Sequence, residues 1–373
     1  MRVALLTNIL APYRMPAFRA LAQTPGWRLR IFVNAQSEFD RHWDIDTEGL
    51  EVQTLPGRTR VRGGRTLHFP SPIRFFRALR SFRPEAVISA ELGMRTCLAW
   101  LYCLVFQVPL TIWAVPTRDV LARGGYVRRL IGPALLSRAR SVVVPGAEGR
   151  RAYRAWGVPE ARLFIAPHCH DIETYAKALA RLGPDSARLE LQAALGCRPR
   201  IALVVGRLLQ WKGIKEVLDA WDRLPPPLRR DWTLLFVGEG SEANRVDVAI
   251  ATHINGEIVH VPRADPEQLA ELYTISDLLV FPTLGEPWGI VVNEAMACGL
   301  PVLCSERAGC AEALILPGET GWLTDSHDED SLRDTLLQAL TCGHRIRMGE
   351  RARDHIAGFT GETMAEGFRA AVR

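Results

Sequence analysis

Two carboxylates eight positions apart, Glu286 and Glu294, stand inside the stretch from Leu278 to Cys304, where the local pattern gives each a different job. Leu278 to Phe281 is a short apolar run of the kind a buried parallel strand needs. Pro282 to Trp288 is a loop, Gly289 to Cys298 a helix ended by Gly299, and Pro301 to Cys304 the next strand. Ligands bind such sheets outside the carboxyl ends of the strands. Glu286 lies in the loop beyond the strand and Glu294 about one and a half turns into the helix, so both face one crevice with the helix N-terminus between them. The amides of Gly289, Ile290 and Val291 then point at the occupant, and free N–H groups with the helix dipole favour an anion such as a phosphate. A carboxylate beside a phosphate is useful only where it holds neutral hydroxyls. The pair therefore fits a ligand that is part phosphate and part polyol.

The elements that position this stretch are of the same kind. Arg200 to Val205, Thr233 to Val237 and Ile258 to Val261 are further apolar strands, and each ends in a polar or glycine-bearing turn: Gly206-Arg207, Gly238-Glu-Gly240 and Pro262-Arg263. At Gly238 and Gly240 the missing side chains permit close approach of a ribose or phosphate. Asp265 to Ser276 is a helix with Leu269, Leu272 and Tyr273 on its apolar side. Upstream, Val3 to Thr7, Arg28 to Asn34, Ala86 to Ser89, Leu110 to Ala114 and Ser141 to Pro145 are parallel strands separated by helices. Thr96 to Phe106, the longest apolar run, is too short to span a bilayer and is expected to be a buried helix.

At 373 residues the chain exceeds what one core organises, and two domains follow. Charge supports the division: residues 1–170 hold 25 arginines and no lysine against 11 acids, whereas residues 171–373 hold 21 basic and 30 acidic residues. The first half thus has an anion-attracting surface. Eight cysteines occur without paired spacing, which suits buried thiols in a reducing compartment. Cys169 between His168 and His170 lacks the further ligand a zinc site requires. Met1 to Leu10 leads straight into a strand with no secretory apolar region, and a cytoplasmic location is expected.

The motif Pro-x3-Glu-Pro-Trp-Gly-x4-Glu-Ala-Met-Ala-Cys-Gly-x-Pro-Val, residues 282–302, resembles the signature of the retaining GT-B glycosyltransferases of family 4. The resemblance implies an α/β chain of two Rossmann-like, doubly wound parallel-sheet domains facing a cleft. It implies an acceptor-binding domain at 1–170, a nucleotide-sugar-binding domain at 171–355, and a last helix, 356–373, crossing back onto the first domain. In that family the first Glu holds the donor sugar and the second takes the ribose hydroxyls, roles that fall on Glu286 and Glu294. Gly206-Arg207-Leu followed by Lys212-Gly213 resembles the family's diphosphate clamp. Two fixed cations there offset the charge that grows on a departing diphosphate. Arg263 marks the turn where the family reads the base edge. Ala308-Gly-Cys-Ala-Glu-Ala resembles its glycine loop, with Cys310 where a second glycine is usual.

The first loop, Asn8-Ile-Leu-Ala-Pro-Tyr-Arg-Met-Pro, resembles the family's acceptor-facing loop in the subset carrying Pro-Tyr-Arg-x-Pro, which points to Asn8, Tyr13 and Arg14; a plain helix-entry turn is the other reading. No His follows the strand ending Thr-Ile-Trp-Ala-Val-Pro-Thr-Arg-Asp, and Asp119 either takes an acceptor hydroxyl or caps a helix. Arg58, Arg60, Arg62, Arg65, Arg74, Arg77 and Arg80 form a belt whose second half is a basic amphipathic helix. That belt suits either a solvated face or peripheral contact with anionic lipid, where a lipid-linked acceptor would reside. Nucleic acid is excluded as a partner, since no aromatic stacking strand or recognition helix accompanies the charge.

The resemblance implies transfer of a sugar from a nucleoside diphosphate to a saccharide or lipid-linked acceptor, with retention and without a metal or other cofactor, in polysaccharide or glycolipid assembly. A nucleotide-sugar epimerase of the same fold and a non-catalytic nucleotide-sugar-binding subunit are the rival readings. A Rossmann dehydrogenase is disfavoured, because no Gly-x-Gly-x-x-Gly follows the first strand.

Overall fold

The computed structural model describes residues 1–35, 45–62, 65–114, 126–170 and 185–373, with 175, 177, 180 and 181 between the last two stretches. The chain divides into two units, 1–170 with 359–373, and 171–358. The boundary of the C-terminal segment thus falls at 359.

Unit 1 opens with β1 (Arg2–Thr7), α1 (Met15–Ala22), β2 (Arg28–Val33) and β3 (Glu51–Thr54). There follow β4 (Gly57–Arg62), β5 (Arg65–Pro70), α2 (Pro72–Phe82), β6 (Ala86–Ala90), α3 (Met94–Phe106), β7 (Leu110–Trp113), α4 (Tyr126–Arg138), β8 (Ser141–Val144), α5 (Ala147–Ala155) and β9 (Leu163–Ile165). Seven strands form one parallel sheet in the order β3-β2-β1-β6-β7-β8-β9. Because helices cover both faces, the central strands read as unbroken apolar runs: Val3 to Leu6 and Ala86 to Ile88 are buried. One core packs Phe75, Leu79 and Phe82 of α2 and Ala99 and Tyr102 of α3 on the sheet. The other packs Phe18 and Leu21 of α1 on the opposite side.

β4 and β5 pair antiparallel as a separate hairpin, Arg58 opposite Phe69 and Arg60 opposite Leu67. The first half of the arginine belt is therefore a ribbon, and the second half is α2. Helix α3 corrects the expectation of a buried helix: Leu101, Leu104 and Val105 are exposed, since only the face bearing Ala99, Tyr102 and Cys103 meets the sheet.

Unit 2 contains α6 (Asp185–Ala194), β10 (Arg200–Val205), α7 (Ile214–Asp222), β11 (Trp232–Val237), α8 (Ala243–Thr252), β12 (Ile258–Val261), α9 (Pro266–Ile275) and β13 (Leu278–Phe281). Then come α10 (Ile290–Ala297), β14 (Val302–Ser305), β15 (Gly321–Thr324), α11 (Glu329–Thr341) and α12 (Arg345–Ile356). Its six strands are parallel in the order β12-β11-β10-β13-β14-β15. Helix α9 starts with a full capping box, Asp265 and Gln268 each holding the other's backbone N–H. The last helix, α13 (Gly361–Val372), belongs to unit 1, where Met364, Phe368 and Val372 complete the core beside α1 and Phe368 meets Trp113 edge-on at 5.1 Å.

In both sheets the strand order reverses once. β1 lies between β2 and β6, and β10 between β11 and β13. A crevice opens at such a reversal because the loops leaving the two strands run to opposite faces.

Candidate active site

Unit 2 brings the residues after β10 and after β13 together at its reversal point. Gly206 and Arg207 follow β10, and a 3-10 turn, Gln210–Lys212, aims the Lys212 ammonium across to the Glu286 carboxylate after β13. Both side chains are largely buried, 17% and 19% exposed, and the ammonium also lies over the Phe281 ring at 5.5 Å. An ion pair that is partly desolvated and hydrogen-bonded fixes both partners more firmly than a surface pair would. The clamp expected on a diphosphate is thus half engaged already, Lys212 resting on the acid assigned to the sugar. Arg207 is exposed at the same strand end.

The loop carrying Glu286 is tied on both sides. The Leu284 N–H and the Thr283 hydroxyl donate to Trp211 O at 2.9 and 3.1 Å. On the other side Glu286 N–H donates to Arg307 O at 3.3 Å and Gly309 N–H to Glu286 O at 2.9 Å, a single parallel bridge between residues 286 and 308. Trp288 Nε1–H donates to Asn293 Oδ1 at 2.8 Å, latching the loop to the first turn of α10.

Helix α10 begins at Ile290, one residue later than expected, with Gly289 at its N-cap. That glycine has φ 106°, and a Cβ there would stand 2.6 Å from the Phe281 ring, so only glycine admits this entry to the helix. Gly238 follows the same logic: with φ 136°, an added Cβ would meet Gly206 O at 2.0 Å. The turns after β10 and β11 are therefore in backbone contact. Ile290 and Val291 are the first residues of α10, and their amides have no acceptor inside the helix. No charged side chain caps that end.

Glu294, one turn further on, is half-buried, and burial pushes its carboxyl up to about 7, against hydrogen bonds from Tyr273 and Tyr175 that pull it down. The Tyr273 hydroxyl donates to Oε2 at 2.9 Å. These tyrosines were missed from the sequence, where Tyr273 reads as one more apolar position of α9. Arg263, exposed after β12, pairs with Glu239 at 3.2 Å.

The acceptor-side candidates divide. Tyr13 and Arg14 sit by His168, and the Arg14 guanidinium stacks on Trp113 at 4.5 Å while donating to Thr7 Oγ1 at 3.2 Å. Burial, with the nearby Arg14, depresses His168 to about 3, so it is neutral. Asn8, after β1, donates from Nδ2 to Glu91 Oε2 at 2.9 Å. Asp119 lies outside the described residues. Among the described residues no group of three or more His, Cys, Asp or Glu could hold a metal.

Residues 189–355 match the family model for glycosyl transferases group 1. The match covers less than half of this chain. Every donor-side residue above, from Gly206 to Glu294, lies inside it, and Asn8, Tyr13 and Arg14 lie outside. A D-inositol 3-phosphate glycosyltransferase of Nocardia farcinica is 32% identical over 239 residues, 61% of this chain and 51% of the relative. The match thus spans about half the relative's length. The enzyme of the same name from Corynebacterium diphtheriae is 29% identical over 341 residues, 86% of this chain and 76% of the relative.

Solved structures extend the likeness in fold beyond the matched residues. A sucrose-phosphate synthase from Thermosynechococcus elongatus superposes with a TM-score of 0.74 at 20% identity, covering 99% of this chain and 97% of the other. Anabaena Alr3699/HepE, crystallised with UDP-glucose, gives 0.75 at 16% identity, covering 100% and 98%. The architecture is that of the GT-B glycosyltransferases, two parallel-sheet α/β domains.

Proposed function

We propose that this protein is a retaining glycosyltransferase of family 4, moving a sugar from a nucleoside diphosphate to a saccharide or lipid-linked acceptor in polysaccharide or glycolipid assembly. The observation that carries the reading is the meeting of Lys212 and Glu286 at the reversal point of the unit 2 sheet, in the turn region that leads to the uncapped start of α10. A diphosphate bound there receives Arg207, Lys212 and the amides of Gly289, Ile290 and Val291. Its arrival draws Lys212 off Glu286 and frees that carboxylate for the sugar hydroxyls. Glu294 takes the ribose diol. As the glycosidic bond to the diphosphate breaks, the two cations and the helix end stabilise the charge on the leaving oxygen. The leaving phosphate accepts the proton of the acceptor hydroxyl, which adds to the anomeric carbon on the face just vacated. With the charge already carried, the reading assigns no metal.

UDP sugars are the first donors to test, since structural neighbours were crystallised with UDP and with UDP-glucose. The acceptor is assigned to unit 1, and the arginine belt on β4, β5 and α2 to an anionic membrane surface on the cytoplasmic side. No helix among the described residues is long and apolar enough to cross a membrane.

The experiment is incubation with UDP-, GDP- and TDP-sugars, with and without saccharide and lipid-linked acceptors. Release of nucleoside diphosphate coupled to glycoside formation is expected. Sugar isomerisation without an acceptor would establish the epimerase instead, and binding without turnover the non-catalytic subunit. Arg207→Ala is expected to lower kcat by about 100-fold, the scale seen when one oxyanion-type donor is lost, with nucleotide binding less affected. Wild-type turnover in both Arg207→Ala and Glu294→Ala would remove the site assignment.

A further inference from the structure

The reversal point of the unit 1 sheet repeats the arrangement found in unit 2. There the donor after β10 meets the carboxylate after β13. In unit 1, Asn8, just after β1, meets the carboxylate of Glu91, the residue just after β6. From this geometry we infer that Glu91 is a saccharide-binding residue, its carboxylate accepting from a pair of neighbouring hydroxyls on a neutral sugar.

Three observations carry the inference. First, Glu91 holds φ 66°, one of only three non-glycine residues with positive φ among those described, and a conformation that opposes a side chain with a Cβ. Such strain persists where the surroundings impose it, and it clusters at ligand sites. Second, the surroundings do impose it. Arg95 is 4% exposed, and its guanidinium donates to Asn8 Oδ1 and to Ala90 O. A cation on Oδ1 obliges the Asn8 amide to turn its N–H side outward to Glu91. The Thr96 hydroxyl holds Glu91 O, and Glu91 N–H donates to Trp113 O at 2.7 Å. Third, the carboxylate so fixed is exposed, and the next turn of chain leaves room for a ligand. A Cβ on Gly93, the residue before α3, would meet nothing within 4 Å. Beside Asn8, Asn34 Oδ1 is a buried acceptor with no donor among the described residues.

A surface glutamate needs none of this. A buried guanidinium, an oriented amide and a strained backbone all serve to hold one exposed carboxylate at the place where ligands bind parallel sheets. A carboxylate repels a phosphate ester, which sets the class as neutral saccharides. The place of this site in the reaction rests on the transferase reading, with Glu91 positioning the acceptor.

The test is saturation-transfer NMR and calorimetry of the full chain with methyl α-glucoside, methyl α-galactoside, methyl α-mannoside and glucose 6-phosphate, no nucleotide present. At least one neutral glycoside is expected to bind. The isosteric Glu91→Gln variant should weaken it at least tenfold, and glucose 6-phosphate should bind more weakly than methyl α-glucoside. Glu91→Gly is expected to lose binding while melting no lower than wild type, because glycine releases the strain. Absence of glycoside binding, equal binding by Glu91→Gln, preference for the phosphate ester, or a melting point several degrees lower in Glu91→Gly would each overturn the inference. UDP stabilisation, measured on the same samples, reports on the donor site alone, so failure of the transferase reading is seen separately from failure of this one.

Discussion

Glu294 is pulled in opposite directions by its surroundings. Burial favours the neutral carboxyl and moves it up to about 7, while the Tyr273 and Tyr175 hydroxyls favour the anion. The folded protein therefore binds a proton here, between pH 4.5 and 7, that the unfolded chain has released, and stability falls as pH rises through that window. At pH 8 the ionised group costs up to about 3 kcal/mol, from roughly 1.4 kcal/mol per pH unit. Glu294→Gln removes this cost, and we expect it to raise the melting temperature of the ligand-free protein at pH 8 by a few degrees while weakening UDP binding about tenfold. An unchanged affinity for UDP would dissociate Glu294 from the ribose. Both carboxylates were legible in the sequence because a strand, a loop and a helix start fix where positions 286 and 294 must lie. The tyrosines were not legible, because a hydroxyl at the tip of a core-facing side chain leaves no trace in an apolar pattern.

The entry to α10 depends on one backbone conformation. Gly289→Ala combines positive φ with an added Cβ 2.6 Å from the Phe281 ring, so either the ring or the first turn of α10 must move. We expect a loss of about 2–4 kcal/mol, the range for strain at a special φ/ψ combined with overpacking, and UDP binding weakened beyond what that instability explains. Wild-type melting and affinity would show that the site tolerates a different entry. Ten of the thirteen parallel strands were readable as apolar runs, to within a residue or so, because a strand covered on two faces must be apolar throughout; the short edge strands β3, β9 and β15 were not. The hairpin β4–β5 left a different mark, Arg58, Arg60 and Arg62 alternating with Thr59 and Val61 ahead of Gly63-Gly64, a period of two and a two-residue turn signal that the density of charge obscures. Its form matters for the belt: Arg58 and Arg60 on the ribbon and Arg74, Arg77 and Arg80 on α2 lie on separate elements, with Ile73 and Phe69 exposed among them. If the belt meets anionic lipid, changing Arg74 and Arg77 to Glu should weaken binding to phosphatidylglycerol vesicles by on the order of 1 kcal/mol per arginine lost, more with the reversal. Equal sedimentation of variant and wild type with such vesicles would leave the belt a solvated face.

At the scale of the whole molecule the two units respond to acid with opposite signs. In unit 1, His168 is held neutral by burial, its folded pKa about 3 against 6.5 unfolded, so below pH 6.5 the unfolded chain gains a proton the folded unit refuses. Stability is lost as pH falls through that window, by about 2 kcal/mol between pH 7 and 5. His168 meets Tyr13 and Trp113 there, and its neighbour Cys169 meets Met364 of α13, so charging it disturbs the face on which α13 docks. In unit 2 the raised carboxyl of Glu294 acts the other way, and stability rises by up to about 2 kcal/mol over the same interval. Hydrogen exchange at pH 7 and pH 5, with rates corrected for intrinsic pH dependence, resolves the two. Amides of β1 and β7 are expected to lose protection, those of β10 and β13 to hold or gain it, and His168→Phe to abolish the loss in unit 1. Protection moving in the same direction in both units would show that neither buried group governs the acid response, and that the surface charge excess of the first 170 residues does.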